Sequence, residues 1–110
     1  MANTFTRKLS RSIGTSLTSV GSYTVGASTQ TTVIGLTLSN RTASQVLADV
    51  TLNDGSNDTY MVKDAPIPAG SSLVVVGGDQ KVVLVTSDSI KVKSDTASSI
   101  DAIMSILEIT

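Results

Sequence analysis

Leu73-Val-Val-Val-Gly-Gly-Asp-Gln-Lys-Val-Val-Leu-Val85 sets two apolar runs on either side of Gly77-Gly-Asp-Gln80. Short β-branched runs joined by a tight glycine turn read as a pair of strands. Consecutive residues in each run are apolar, so both faces of each strand need cover. A small sandwich standing alone would leave one of those faces in water. A neighbouring subunit would supply the missing cover.

Upstream, Tyr23 and Val25 alternate with Ser22 and Thr24 as a first strand, and Thr32-Val-Ile-Gly-Leu-Thr-Leu38 is a second, turning at Asn40-Arg-Thr-Ala-Ser44. Val46, Ala48, Val50 and Leu52 recur at period two, a half-buried third strand. Asn53-Asp-Gly-Ser-Asn-Asp58 is a dense hairpin signal, since Asp54-Gly55 suits positive φ. Tyr60-Met-Val-Lys63 is a fourth strand, expected to stop at Asp64-Ala-Pro-Ile-Pro-Ala-Gly70, whose prolines donate nothing to a ladder.

Downstream, Ser89-Ile-Lys-Val-Lys93 alternates, with Ile90 and Val92 pointing in and both lysines out. The final run, Ile100 to Thr110, fits a helix through Ile100, Ile103, Met104 and Leu107, and a strand through Ala102, Met104 and Ile106. Its isoleucine content and its place after a β pattern favour the strand. The expectation is an all-β chain, a single β-sandwich or jelly-roll-like domain of seven to eight short antiparallel strands over residues 20–110. Residues 1–19 precede it as an N-terminal arm.

In that arm Phe5, Leu9 and Ile13 fall at i, i+4 and i+8, one stripe of a helical turn that Asn3 or Thr4 would cap and Gly14 would stop. So thin a stripe is marginal alone and becomes ordered against a partner. Arg7, Lys8 and Arg11 form the one basic cluster. Every charge before Asp49 is positive, while nine acids face four lysines from Asp49 onward; the net charge is -1. Such polarity steers subunits toward head-to-tail or arm-to-neighbour contacts. Phe5, Arg7, Lys8, Leu9, Arg11 and Ile13 are the candidate partner-contact residues.

Composition removes several chemistries. The 110 residues include no Cys and no His, so zinc sites, thiol nucleophiles, histidine triads and disulfides are absent. Low charge and 3% aromatic content argue against nucleic-acid binding. No apolar window of about 20 residues suggests a bilayer span. The first twelve residues lack the apolar stretch of a secretory leader, so synthesis in the cytosol is expected.

The oxygens of Asn53–Asp58 lack the order of a calcium loop, and Gly77–Lys81 precedes a strand where a phosphate loop needs a helix. Asn40-Arg-Thr42 and Asn57-Asp-Thr59 match a glycosylation sequon but read as plain turns. Asp64, Asp88 and Asp101 are the carboxylates available for acid–base work, with no aromatic-lined pocket suggested to hold a substrate. A non-enzymatic chain without cofactor or metal is expected.

Thr32-Val-Ile-Gly-Leu-Thr-Leu-Ser-Asn-Arg-Thr42, Tyr60-Met-Val-Lys-Asp-Ala-Pro-Ile-Pro-Ala-Gly-Ser-Ser-Leu73 and Ile106-Leu-Glu-Ile-Thr110, in that order, resemble small virion structural proteins of tailed bacteriophages, especially marine and cyanobacterial ones. In that family a Tyr-Thr-Val strand, here Tyr23–Val25, opens the pattern. The resemblance spans residues 20–110 and implies a virion location and no catalytic residue. It implies partners of two kinds: copies of itself, as a trimer or higher oligomer, and the major capsid or neck and tail proteins. Capsid decoration or cementing is the leading expectation. A neck, collar or tail subunit and a fibre-like host-binding module are the alternatives. The host-binding module would read its target with loops Asn40–Ser44, Asn53–Asp58 and Ala65–Gly70, none of which carries an aromatic residue.

Overall fold

The computed structural model describes residues 2–110. Nine strands are formed: β1 (Asn3–Ile13), β2 (Thr18–Ser19), β3 (Gln30–Asn40), β4 (Val46–Asn53), β5 (Asp58–Ile67), β6 (Ser72–Val76), β7 (Val82–Leu84), β8 (Ser89–Ser94) and β9 (Ile100–Ile109). A 3-10 turn, Val20–Ser22, follows β2. One sheet runs β1-β9-β3-β6, with β7 also beside β3; the other runs β2-β8-β4-β5, and every pairing is antiparallel. The two sheets close over one core, the expected β-sandwich.

The alternation rule explains that core. Ala102, Met104 and Ile106 of β9 face inward beside Leu36 and Leu38 of β3, opposite Val50, Ile90 and Val92 of the second sheet. Burying a side chain of this size contributes about 1.5–3 kcal/mol. The closing run is thus a strand, and it lies between β1 and β3 inside its sheet. Lys91 and Lys93 face out, and Ile90 and Val92 face in, as their spacing requires.

Three stretches differ from the sequence reading. Residues 3–13, expected to be an arm with a helical turn, are a strand paired with β9 from Asn3↔Ile109 to Ile13↔Ile100. A spacing of four fits a helix face and also two repeats of a strand, while the Thr and Ser residues between favour extended backbone. Tyr23–Val25, expected to be a strand, is irregular, tied to its neighbours by Val25 N–H to Asp88 O (3.0 Å) and Ser87 N–H to Val25 O (2.9 Å). β5 does not stop at Asp64 but continues through Pro66 to Ile67. As an edge strand it tolerates a residue that donates no hydrogen bond.

Bulges adjust the edges. In β1 the register shifts between Ser10 and Ile13, where Ser12 has φ 56° and donates its N–H to Asp101 Oδ1 at 2.9 Å. In β5, Asp64 has φ 51°, and its N–H is taken by Asp49 Oδ1 at 2.7 Å. Asn40 joins the two sheets where β3 ends: its Nδ2 donates to the carbonyls of Ser44 (2.8 Å) and Ile67 (2.9 Å), and its Oδ1 accepts from Thr42 N–H (2.9 Å) and Oγ1 (2.8 Å). At 3% exposure this asparagine is structural, not a carrier of sugar.

Candidate interaction surface

The sheet containing β1 and β9 has an apolar outer face. Residues directly opposite in an antiparallel ladder share a face. One row crosses the sheet as Phe5, Leu107, Thr32 and Val83; another runs Leu9, Ile103, Thr37 and Val74. Between them lies Arg7, opposite Ser105. Val74 is 63% exposed, Val83 62%, Ile103 52% and Phe5 74%. The outer face of the other sheet exposes Lys91 and Lys93 on β8 and the half-exposed Tyr60 on β5, over the buried Asp49 and Thr51 of β4. The two outer faces thus differ in polarity, and contiguous exposed apolar patches of this kind are uncommon on isolated chains.

The six candidate contact residues are divided by the strand. Phe5, Arg7 and Leu9 share the outer face. Arg11 is exposed at the bulge. Lys8 points to the opposite side, with Nζ 4.9 Å from the centre of the Tyr23 ring. Ile13 is spent on the chain's own core at 2% exposure, because the bulge at Ser12 turns it inward. Ile103 and Leu107 were not among the candidates, although the helix-and-strand ambiguity of their segment was the signal: a run that fits both spacings is apolar on both faces. Val74 and Val83 come from the two runs that asked for double cover.

Polar contacts tie residues 20–25 to β3, β9 and β1. Tyr23 Oη meets Thr31 Oγ1 at 2.7 Å and donates to Glu108 Oε2 at 2.9 Å. Burial pushes the phenol above its ordinary pKa. Gly21 donates its N–H to Ser10 Oγ at 2.7 Å. At φ 62° a Cβ on Gly21 would meet Lys8 Cβ at 2.7 Å, so only glycine fits there. At the other end of β1, Arg41 pairs with Asp101 (3.6 Å) and hydrogen-bonds Ser12 Oγ.

Of the carboxylates weighed for calcium or acid–base work, Asp64 is exposed beside Lys63 at 4.0 Å, and Asp54, Asp58, Asp88 and Asp101 are occupied by local structure. Asp54 Oδ1 accepts the N–H groups of Asn57 (2.8 Å) and Ser56 (3.0 Å), which lower its pKa. Asp58 accepts from Asn53 Nδ2 (2.8 Å), the main cause of its own lowering, and from Thr51 Oγ1 (3.1 Å). Asp88 Oδ2 takes the Val85 N–H at 2.9 Å, and Asp101 holds the β1 bulge. These groups shape turns and bulges.

No family model matches the chain, and no curated protein matches it in sequence. Solved structures do. A chain of the acid-stable capsid of Helicobacter pylori bacteriophage KHP30 aligns over 100% of this chain and 89% of its own, with TM-score 0.58 and 6% identity. A chain of Bacillus endospore appendages, which form disulfide-linked pili, aligns over 100% and 91%, with TM-score 0.54 and 13% identity. A pentameric capsid protein from metagenomic phage sequences aligns over 94% of this chain and 58% of its own at TM-score 0.41 and 16% identity, a score that carries no argument. At these identities the first two likenesses establish a shared β-sandwich fold.

Proposed function

We propose that the chain is a non-enzymatic structural subunit of a bacteriophage particle, a decorating or cementing protein that lays the outer face of its β1–β9 sheet on the capsid. The carrying observation is the apolar row Leu9–Ile103–Thr37–Val74, open to water on one sheet, where the other sheet's outer face carries Lys91 and Lys93. The fold shared with a chain of a phage capsid and the resemblance of residues 20–110 to small virion proteins both support this reading. A few aliphatic side chains at about 1.5–3 kcal/mol each, repeated over many copies, reinforce a shell.

The test adds purified chain to expanded, undecorated heads. Raised heat resistance is expected, and its loss in the Val74→Asp, Ile103→Asp double variant. Heads that melt unchanged at saturating chain would overturn the cement role. A second reading, a neck or tail subunit, draws on the fold shared with a pilus subunit, although a chain without cysteine makes no disulfide-linked polymer. Binding to tails and not to heads would favour it.

A further inference from the structure

The two lateral sides of the sandwich differ in charge and shape. One side is the edge formed by β1, where Arg7, Lys8 and Arg11 are the sole charges between residues 3 and 19. The other side is formed by edge strand β5 together with β6, β7 and the turn between them. That side carries Asp58, Asp64 and Asp79 against Lys63 and Lys81, with Asp54 at the adjoining hairpin tip. Lys63 lies 4.0 Å from Asp64, and Lys81 folds back to donate to the Gly78 carbonyl at 2.6 Å. Between β5 and β6–β7 a groove of about 440 Å³ opens, with Leu52, Met61, Val75 and Val82 along its wall. The opposite edge bears Phe5, the chain's one phenylalanine and its most exposed large apolar side chain.

Taking the chain as a multi-copy subunit, we infer that sister copies join side by side, the β1 edge of one seated on the groove beside the Asp79-Gln80 turn of the next. Charge and shape both favour it: Arg7 and Arg11 meet a side where aspartates outnumber lysines, and an exposed ring meets an apolar trough. Levels agree as well. The row from Phe5 crosses Leu107 and Thr32 to Val83, beside Val82 of the groove, so a copy displaced sideways with its strands parallel brings Phe5 to groove height. The alternative, β1 against β1 of another copy, sets Arg7 or Lys8 against its own equivalent when centred on the strand. A head-to-tail contact leaves one edge and one groove free at each step, so it closes as a ring when the rotation allows.

The test uses the full chain and sedimentation velocity, with circular dichroism to confirm folding. Arg7→Glu with Arg11→Glu alters the edge; Asp79→Lys with Gln80→Lys alters the exposed rim of the groove. Each variant alone is expected to dissociate, with an apparent dissociation constant raised at least about tenfold. Mixed in equal amounts they are expected to reassemble, since each supplies the partner that the other needs. Phe5→Ser weakens assembly about tenfold or more without changing thermal unfolding. Variants that keep the wild-type size, or a mixture that stays dispersed, overturn the contact. A wild-type monomer at high concentration that still protects heads overturns the contact alone. Intact rings that fail to bind heads overturn the cement reading alone.

Discussion

Asn40 shows how one side chain serves two sheets. Its amide ties the end of β3 to the Ser44 and Ile67 carbonyls, so Asn40→Ala leaves buried acceptors unpaired and costs about 2–4 kcal/mol, measurable by urea unfolding. Asp54 and Asp58 act at the same scale. Both pKa values are lowered in the fold, so their stabilisation is present above the ordinary aspartate range and is lost as pH falls through the lowered values. Asp54→Asn is therefore expected to flatten the acid limb of a stability–pH profile. Tyr23 behaves oppositely, because its raised pKa makes stability fall at alkaline pH, and Tyr23→Phe is expected to remove that loss. The Asp54-Gly55 turn was legible from local chemistry alone. The roles of Asn40 and Tyr23 were not, since their partners lie 27 and 85 residues away.

At the scale of elements, two of the three departures from the sequence pattern lie in β1 and β5, and both are edge strands. An edge strand has one neighbour, so its own residues constrain it less and the strand beside it constrains it more. The inner side of β1 is polar, with Thr6, Lys8 and Ser10 opposite Ile106, Met104 and Ala102. No apolar alternation therefore announced it. Its docking depends on Gly21, and Gly21→Ala is expected to cost about 1–3 kcal/mol through the clash with Lys8, read as faster amide exchange along β1. In β5, Asp64 holds a left-handed conformation that glycine adopts freely. Asp64→Gly is expected to raise stability by about 0.5–1 kcal/mol in thermal unfolding, provided Asp49 keeps its bond to the bulge N–H.

For the whole molecule, the difference between its two outer faces matters most. Val74→Asp and Ile103→Asp lie on the open face, so the double variant is expected to change unfolding free energy little while abolishing particle binding. Calorimetry beside a head-binding assay separates those effects. The sequence by itself determined the β class, turns such as Asn53–Asp58 and Gly77–Gln80, and the inner faces of β3, β4, β8 and β9, because period-two alternation and turn residues are local signals. It also announced surplus apolar surface, through Leu73–Val76 and Val82–Leu84. Only the tertiary structure decided that residues 3–13 join the sheet, and that Leu9, Ile103 and Val74 align in one row while Ile13 turns into the core. Strand register comes from cross-strand hydrogen bonds and bulges between residues far apart in the chain, and that register assigns each apolar side chain to the core or to the outer face.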